Sequence, residues 1–165
     1  PNIIPGYSAA RFIVRAESLE SLEEIKHKVL HCFTGAATAA GARLKHKWTG
    51  INYAPLKNNF TLADLFVKNM RVLGRKTVLV DPTQRFGSTD MGNVSQVLPG
   101  LHAFVSIASK RTSVHSPAFT KAAKSNRGFK GMEDAAKALG MTAVDILAIP
   151  ENLIRIREEF QQSST

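Results

Sequence analysis

A single cysteine, Cys32, stands among the 165 residues, so no disulfide can close within the chain. That sparing use suits a reducing, cytoplasmic setting. No apolar run approaches the ~18 residues that span a bilayer, so no membrane partner is expected. The opening residues lack a basic stretch followed by an apolar one, so no secretory leader is expected in them. Pro1 rather than Met begins the sequence, which fits processing or a longer parent polypeptide. The chain holds no Cys-x-x-Cys and no His-x-Asp, the spacings that supply several metal ligands from one short segment. The densest basic cluster, "RLKHKW" from Arg43 to Trp48, lacks aromatics interleaved for base stacking. Base stacking needs such interleaving, so the net charge of +9 is weak ground for a nucleic-acid partner. There is no internal repeat and no low-complexity segment.

At 44% apolar and 21% charged, the composition is that of a globular chain. "YSAARFIVRA" alternates Phe12 and Val14 with Arg11, Ile13 and Arg15 and predicts a strand. A helix is predicted next, capped by Ser18 or Ser21, apolar at Leu22, Ile25, Val29, Cys32, Phe33, Ala36 and Ala40, and stopped by Gly41. Cys32 lies on that apolar stripe, which favours core packing over a catalytic thiol. "ARLKHKWTGINYAP" predicts a returning strand, with Arg43, Lys45 and Lys47 on a solvated face and Leu44, His46 and Trp48 inside. Composition shifts at "PLKNNF", which places a domain boundary near residue 56, giving domains 1–56 and 57–165. Beyond it, Asn58 or Asn59 caps a helix bearing Leu62, Leu65, Phe66, Met70 and Leu73, closed by Gly74. "TVLV" and "LHAFVSIA" suit buried strands of an α/β sheet. "PAFTKAAKS", "GMEDAAKALGMTAVDILAI" and "PENLIRIREEF" are helical, two of them begun by Pro117 and Pro150. The expected fold class is mixed α/β: a partial ferredoxin-like βαβ unit, then a helix-rich α/β domain.

"GSTDMGNVS", residues 87–95, places Asp90 in a polar glycine–serine bend ahead of "LHAFVSIA", and "HSPAF" follows with His115. Ligands gather beyond the carboxyl ends of strands in open α/β sheets, which favours His115 as a site residue. Its imidazole can ligate a metal. A solvated loop histidine beside a helix-capping Ser116 is the alternative. His27 and His31 are four apart on the first helix, a zinc-compatible spacing, but they sit off its apolar stripe and lack a third donor. His46 reads as a core histidine. In "PNIIPGYSAARFIVR", Arg15 can grip a carboxylate bidentately and Asn2 can donate to an oxyanion or carboxylate. A turn asparagine and a surface arginine explain the same pattern.

Three segments together, "NIIPGYSAARFIVRA", "GSTDMGNVSQVLPGLHAFVSI" and "HSPAF", resemble the aminoacylase and carboxypeptidase G family of zinc metallopeptidases, peptidase family M-twenty. The resemblance covers almost the whole chain and is most specific over residues 87–119, where it is similar to the dipeptidase and aminobenzoyl-glutamate amidohydrolase branch. It implies that residues 1–56 are the C-terminal part of a lid and dimerisation domain. Residues 57–165 would then be the C-terminal part of the catalytic α/β domain. The implied activity is amide hydrolysis of small peptides or N-acyl amino acids, with two zinc ions, a glutamate general base and a homo-oligomer formed through the lid. By the same resemblance His115 matches a metal ligand, Asn2 and Arg15 match substrate-contacting lid positions, and Asp90 supports the site. No catalytic residue is assigned. The family's other ligands and its general base belong to a region outside the matching segments. A C-terminal piece inactive by itself, and unable to hold zinc stably, is therefore the leading expectation. A non-catalytic dimerisation module is the second, and a basic nucleic-acid binder the third.

Overall fold

The computed structural model describes residues 2–16, 18–49, 53–78 and 89–162, and they fall into two units, Pro1–Pro55 and Leu56–Thr165. In the first unit, α1 spans Leu19–Ala39. Ser18 rather than Ser21 is its N-cap: the backbone there is extended and the hydroxyl oxygen accepts the Ser21 N–H at 3.0 Å. At the other end Gly41 takes φ +63°, which only glycine adopts freely. That turn lets the Ala42 N–H reach the Ala37 carbonyl at 2.9 Å and the Gly41 N–H reach Thr38 at 3.2 Å, a Schellman ending.

Leu22, Ile25, Val29 and Phe33 are half-buried along one side of α1, with the Phe12 ring 5.0 Å from that of Phe33. The Lys26 ammonium lies 5.4 Å from the Trp48 ring. No residue of α1 is fully buried. Two expectations need correction here: Cys32 is exposed, and so is every residue from 42 to 49, His46 included. Neither flanking segment forms a strand among the described residues. A strand exists only when a neighbour takes up its backbone donors and acceptors, and alternation of side chains supplies no neighbour. His27 and His31 are solvated on α1.

The second unit contains α2 (Phe60–Val72), α3 (Met91–Val97), α4 (Pro117–Ala123), α5 (Asn126–Ala148) and α6 (Pro150–Gln162). Asn59 caps α2, its side-chain oxygen accepting the Leu62 N–H at 3.0 Å. Gly74, at φ +76°, ends it with a second Schellman pair, Arg75 N–H to Met70 at 2.9 Å and Gly74 N–H to Arg71 at 2.9 Å. Helix α2 packs against α5 and α6, and α5 also meets α4 and α6. Phe66, Met70 and Ala138 form the buried centre, with Leu73, Leu101 and Val105 against it.

Polar residues hold these helices in register. Asn69 is buried and donates to Thr142 at 3.1 Å and to the Asp145 carboxylate at 2.8 Å, joining α2 to α5. Asn59 donates to the Ile156 carbonyl at 3.0 Å, and both Glu159 oxygens accept from the first turn of α2. The Asp134 carboxylate, 2% exposed, pairs with Arg75 at 2.8 Å and Lys130 at 2.9 Å. Arg75 in turn donates to the Ser106 carbonyl at 3.1 Å.

Residues 101–108, expected as a buried strand, are not one: Leu101 and Val105 reach the core while Phe104 is exposed, and no ladder forms among the described residues. Of "TVLV", Leu79 and Val80 lie outside the described residues. No described helix is long and apolar enough to cross a membrane.

Candidate functional site

The segment leading into α4 is built from local signals. Ser116 is extended, its hydroxyl accepts the Phe119 N–H at 3.1 Å, and it donates to the Ser113 carbonyl at 2.6 Å. Pro117 starts the helix, where its missing N–H costs nothing. His115 precedes this cap with φ +60°, and it is the sole described residue other than glycine in that region. Left-handed backbone costs roughly 1–2 kcal/mol for a residue bearing a Cβ, although histidine tolerates it better than most. Such an outlier is kept when the surroundings over-determine it, and these positions cluster at functional sites. The His115 side chain is exposed.

Asp90 stands at the start of α3 without capping it. Thr89 serves there instead: its hydroxyl accepts the Met91 N–H at 3.3 Å and donates to Asp90 at 3.4 Å. Residues 91–97, which overlap the stretch 87–95 read from the sequence as a bend, are helical because Ser95 anchors them. Its hydroxyl, fully buried, donates to the Gly92 carbonyl at 2.8 Å and accepts the Lys57 N–H at 2.9 Å. Gly87 and Ser88 lie outside the described residues. Among the described residues no hydrogen bond or ion pair joins Asp90 to His115.

Asn2 and Arg15 are both exposed in the first unit. Arg15 lines an open apolar groove with Phe12, Ile13, Val29, Cys32 and Phe33. A carboxylate held there would meet one guanidinium and otherwise hydrocarbon.

A zinc ion takes about four donors. Among the described residues no three His, Cys, Asp or Glu side chains are grouped to hold a metal. His115 supplies one ring nitrogen, so these residues by themselves do not fit a zinc pair. Two Glu-Glu pairs occur on helices, Glu23–Glu24 on α1 and Glu158–Glu159 on α6. Glu159 is committed to the first turn of α2. Burial pushes its carboxyl up, but the hydroxyl and amide of Thr61, the amide of Phe60 and the charge of Arg155 together bring it below the ordinary glutamate value. Asp134 is also held low, first by Lys130 and then by Arg75. Sequence patterning singled out neither residue, because Phe60, Thr61 and Arg75 are far from them along the chain and Lys130 is one of several surface lysines.

No protein-family model matches the chain. The human protein named Xaa-Arg dipeptidase is 38% identical over 98% of this chain and 37% of its own length. The mouse protein of the same name is 35% identical over 98% of this chain and 38% of its own length. The chain therefore spans less than two-fifths of the curated relatives it matches. Identity sustained from end to end makes this chain a sequence relative of a part of the Xaa-Arg dipeptidases.

Proposed function

We propose that this polypeptide is part of an amidohydrolase of peptidase family M-twenty that cleaves small peptides of the Xaa-Arg kind, and that it does not hydrolyse them by itself. The observation that carries this reading is the 38% identity along 98% of the chain, set beside coverage of 37% of the human relative. His115 is the residue assigned to metal binding, and its left-handed backbone ahead of the Ser116–Pro117 helix start supports a constrained role. Asn2 and Arg15 are assigned to the substrate carboxylate, a task suited to an amide donor and a guanidinium fork. Asp90 is assigned to support of the site. Two zinc ions belong to the whole enzyme in this reading, since one imidazole cannot hold a pair. Residues 1–56 would serve as lid and as a homo-oligomer contact, in a cytoplasmic protein.

The test measures zinc content and Xaa-Arg dipeptide hydrolysis for this chain alone and for a protein carrying this sequence in a chain of the relatives' full length. The expected result is no hydrolysis from the chain alone, and hydrolysis by the longer protein that His115→Ala abolishes together with bound zinc. An active short chain with two zinc ions would overturn the inactivity. A longer protein indifferent to His115→Ala would remove the residue's assignment.

A further inference from the structure

Helix α5 is turned inside out relative to a surface helix. Its buried residues are Gly128, Gly131, Asp134, Ala138 and Thr142, all small or polar. On a second, solvent-facing side Phe129, Met132, Ala136, Leu139, Ala143 and Leu147 recur at intervals of three and four, and every one is exposed. Exposure reaches 57% at Phe129 and 84% at Leu147. The buried face is small because its neighbours stand close: a Cβ on Gly128 would strike the carbonyls of Ala122 and Ala123, and one on Gly131 would strike Ile107. The polar members are used up by Arg75, Lys130 and Asn69. A surface helix has the reverse distribution, with its apolar stripe toward the core.

We propose that the outer face of α5 is a docking surface for the part of a Xaa-Arg dipeptidase-like protein that this chain does not span, whether joined to it or supplied by another polypeptide. This rests on the reading under Proposed function. The relatives carry more than three-fifths of their length outside the matched segment, so such a partner exists in each of them as part of the same chain. The length of the stripe argues for an extended apolar surface over a second copy of α5. Val144, 61% exposed, extends it sideways over the C-terminal half, while the ion-paired Lys130, Glu133 and Lys137 border its N-terminal half. A helix of 23 residues is about 34 Å long, and the stripe follows nearly all of it. Helices crossing at the commonest globular angle, about 50°, would touch over a couple of turns and leave its ends wet.

The experiment co-expresses this chain with the portion of the human Xaa-Arg dipeptidase outside the matched segment and measures complex formation by light scattering. Leu139→Asp with Leu147→Asp alters the stripe, and Val72→Asp, on the exposed end of α2, is the control. Each altered side chain is exposed, so circular dichroism and thermal unfolding of the chain alone should match the parent. The expected result is a one-to-one complex for the parent and for Val72→Asp, weakened about tenfold or more by the α5 pair. No complex, or one indifferent to the α5 pair, would overturn the proposal. So would a dimer of this chain that the α5 pair dissolves, since the stripe would then belong to a second copy. A complex lost on changing α5 but unable to hydrolyse Xaa-Arg dipeptides would uphold the docking surface and remove the functional reading beneath it.

Discussion

Removal of the Glu159 carboxylate should loosen the second unit by a predictable amount. Its oxygens accept the Phe60 N–H, the Thr61 N–H at 2.8 Å and the Thr61 hydroxyl at 2.7 Å, and Asn59 covers only the Leu62 N–H. Glu159→Ala therefore strips two first-turn donors and one hydroxyl of a charged acceptor, at the positive end of a helix dipole. A hydrogen bond to a charged group is worth about 1.5–3 kcal/mol and a lost N-cap about 1 kcal/mol. Water can reach this half-buried site and replace part of the loss, which leaves an expected cost of about 2 kcal/mol. For a domain of about a hundred residues that is a fall of about 8 °C in Tm. Glu159→Gln keeps one acceptor oxygen and should cost about half as much. Urea unfolding followed by circular dichroism measures both, and a double-mutant cycle with Thr61→Val isolates the pair. Because the folded pKa lies below the unfolded one, the carboxylate's contribution is complete above the ordinary glutamate range and disappears as pH falls through the lowered folded value. Glu159→Gln should flatten that part of the acid limb. An Ala variant within ~0.5 kcal/mol of the parent, or an acid limb unchanged by Gln, would refute the reasoning.

Gly128→Ala sets a methyl against the backbone carbonyls of Ala122 and Ala123 and should cost about 2 kcal/mol, read as a lower urea midpoint. Asn69→Ala leaves Thr142 and Asp145 without their shared donor and should cost a similar ~2 kcal/mol, with the far-ultraviolet spectrum retained. His115→Gly should unfold at the same or slightly higher urea, whereas His115→Val should lose about 1–2 kcal/mol, because φ +60° suits glycine and opposes a β-branched residue. Asp134 is held below its ordinary pKa by Lys130 and Arg75, so stability should fall as pH drops below the ordinary aspartate range. Arg75→Met should reduce that dependence in acid titrations followed by circular dichroism.

The limits of α1 and α2 and the start of α4 were readable because their causes are local, whereas α3 was read as a bend and α5 starts at Asn126, five residues before the helix read from Gly131. Ser18, Asn59, Ser116 and Pro117 act through bonds or backbone angles within one turn, and Gly41 and Gly74 through the left-handed turn each permits. Even so, local rules left Ser18 and Ser21, and Asn58 and Asn59, as equals. The expected strands were not visible in the same way. Residues 101–108 have strand-like composition, yet Leu101 and Val105 pack on Phe66, Met70 and Ala138 without a ladder. Residues 91–97 are poor helix formers, and a buried serine bridging Gly92 and Lys57 decides their conformation. The face of α5 was the least legible feature. Met132, Leu139, Val144 and Leu147 mark an apolar side in any reading, but periodicity states that a side exists and not what meets it.

From its sequence alone this chain has the ends of α1 and α2 and the start of α4, its net charge of +9, its single thiol and the kinship of its motifs, because each is a property of composition or of neighbours along the chain. Tertiary structure decided which helices touch, the pairing of Asp134 with Arg75, the cap that Glu159 lends to another helix, and the outward turn of the apolar side of α5. Those depend on residues tens of positions apart. Only packing determines which of a helix's faces is sheltered, and a pattern repeating every 3.6 residues is the same pattern whichever way it points.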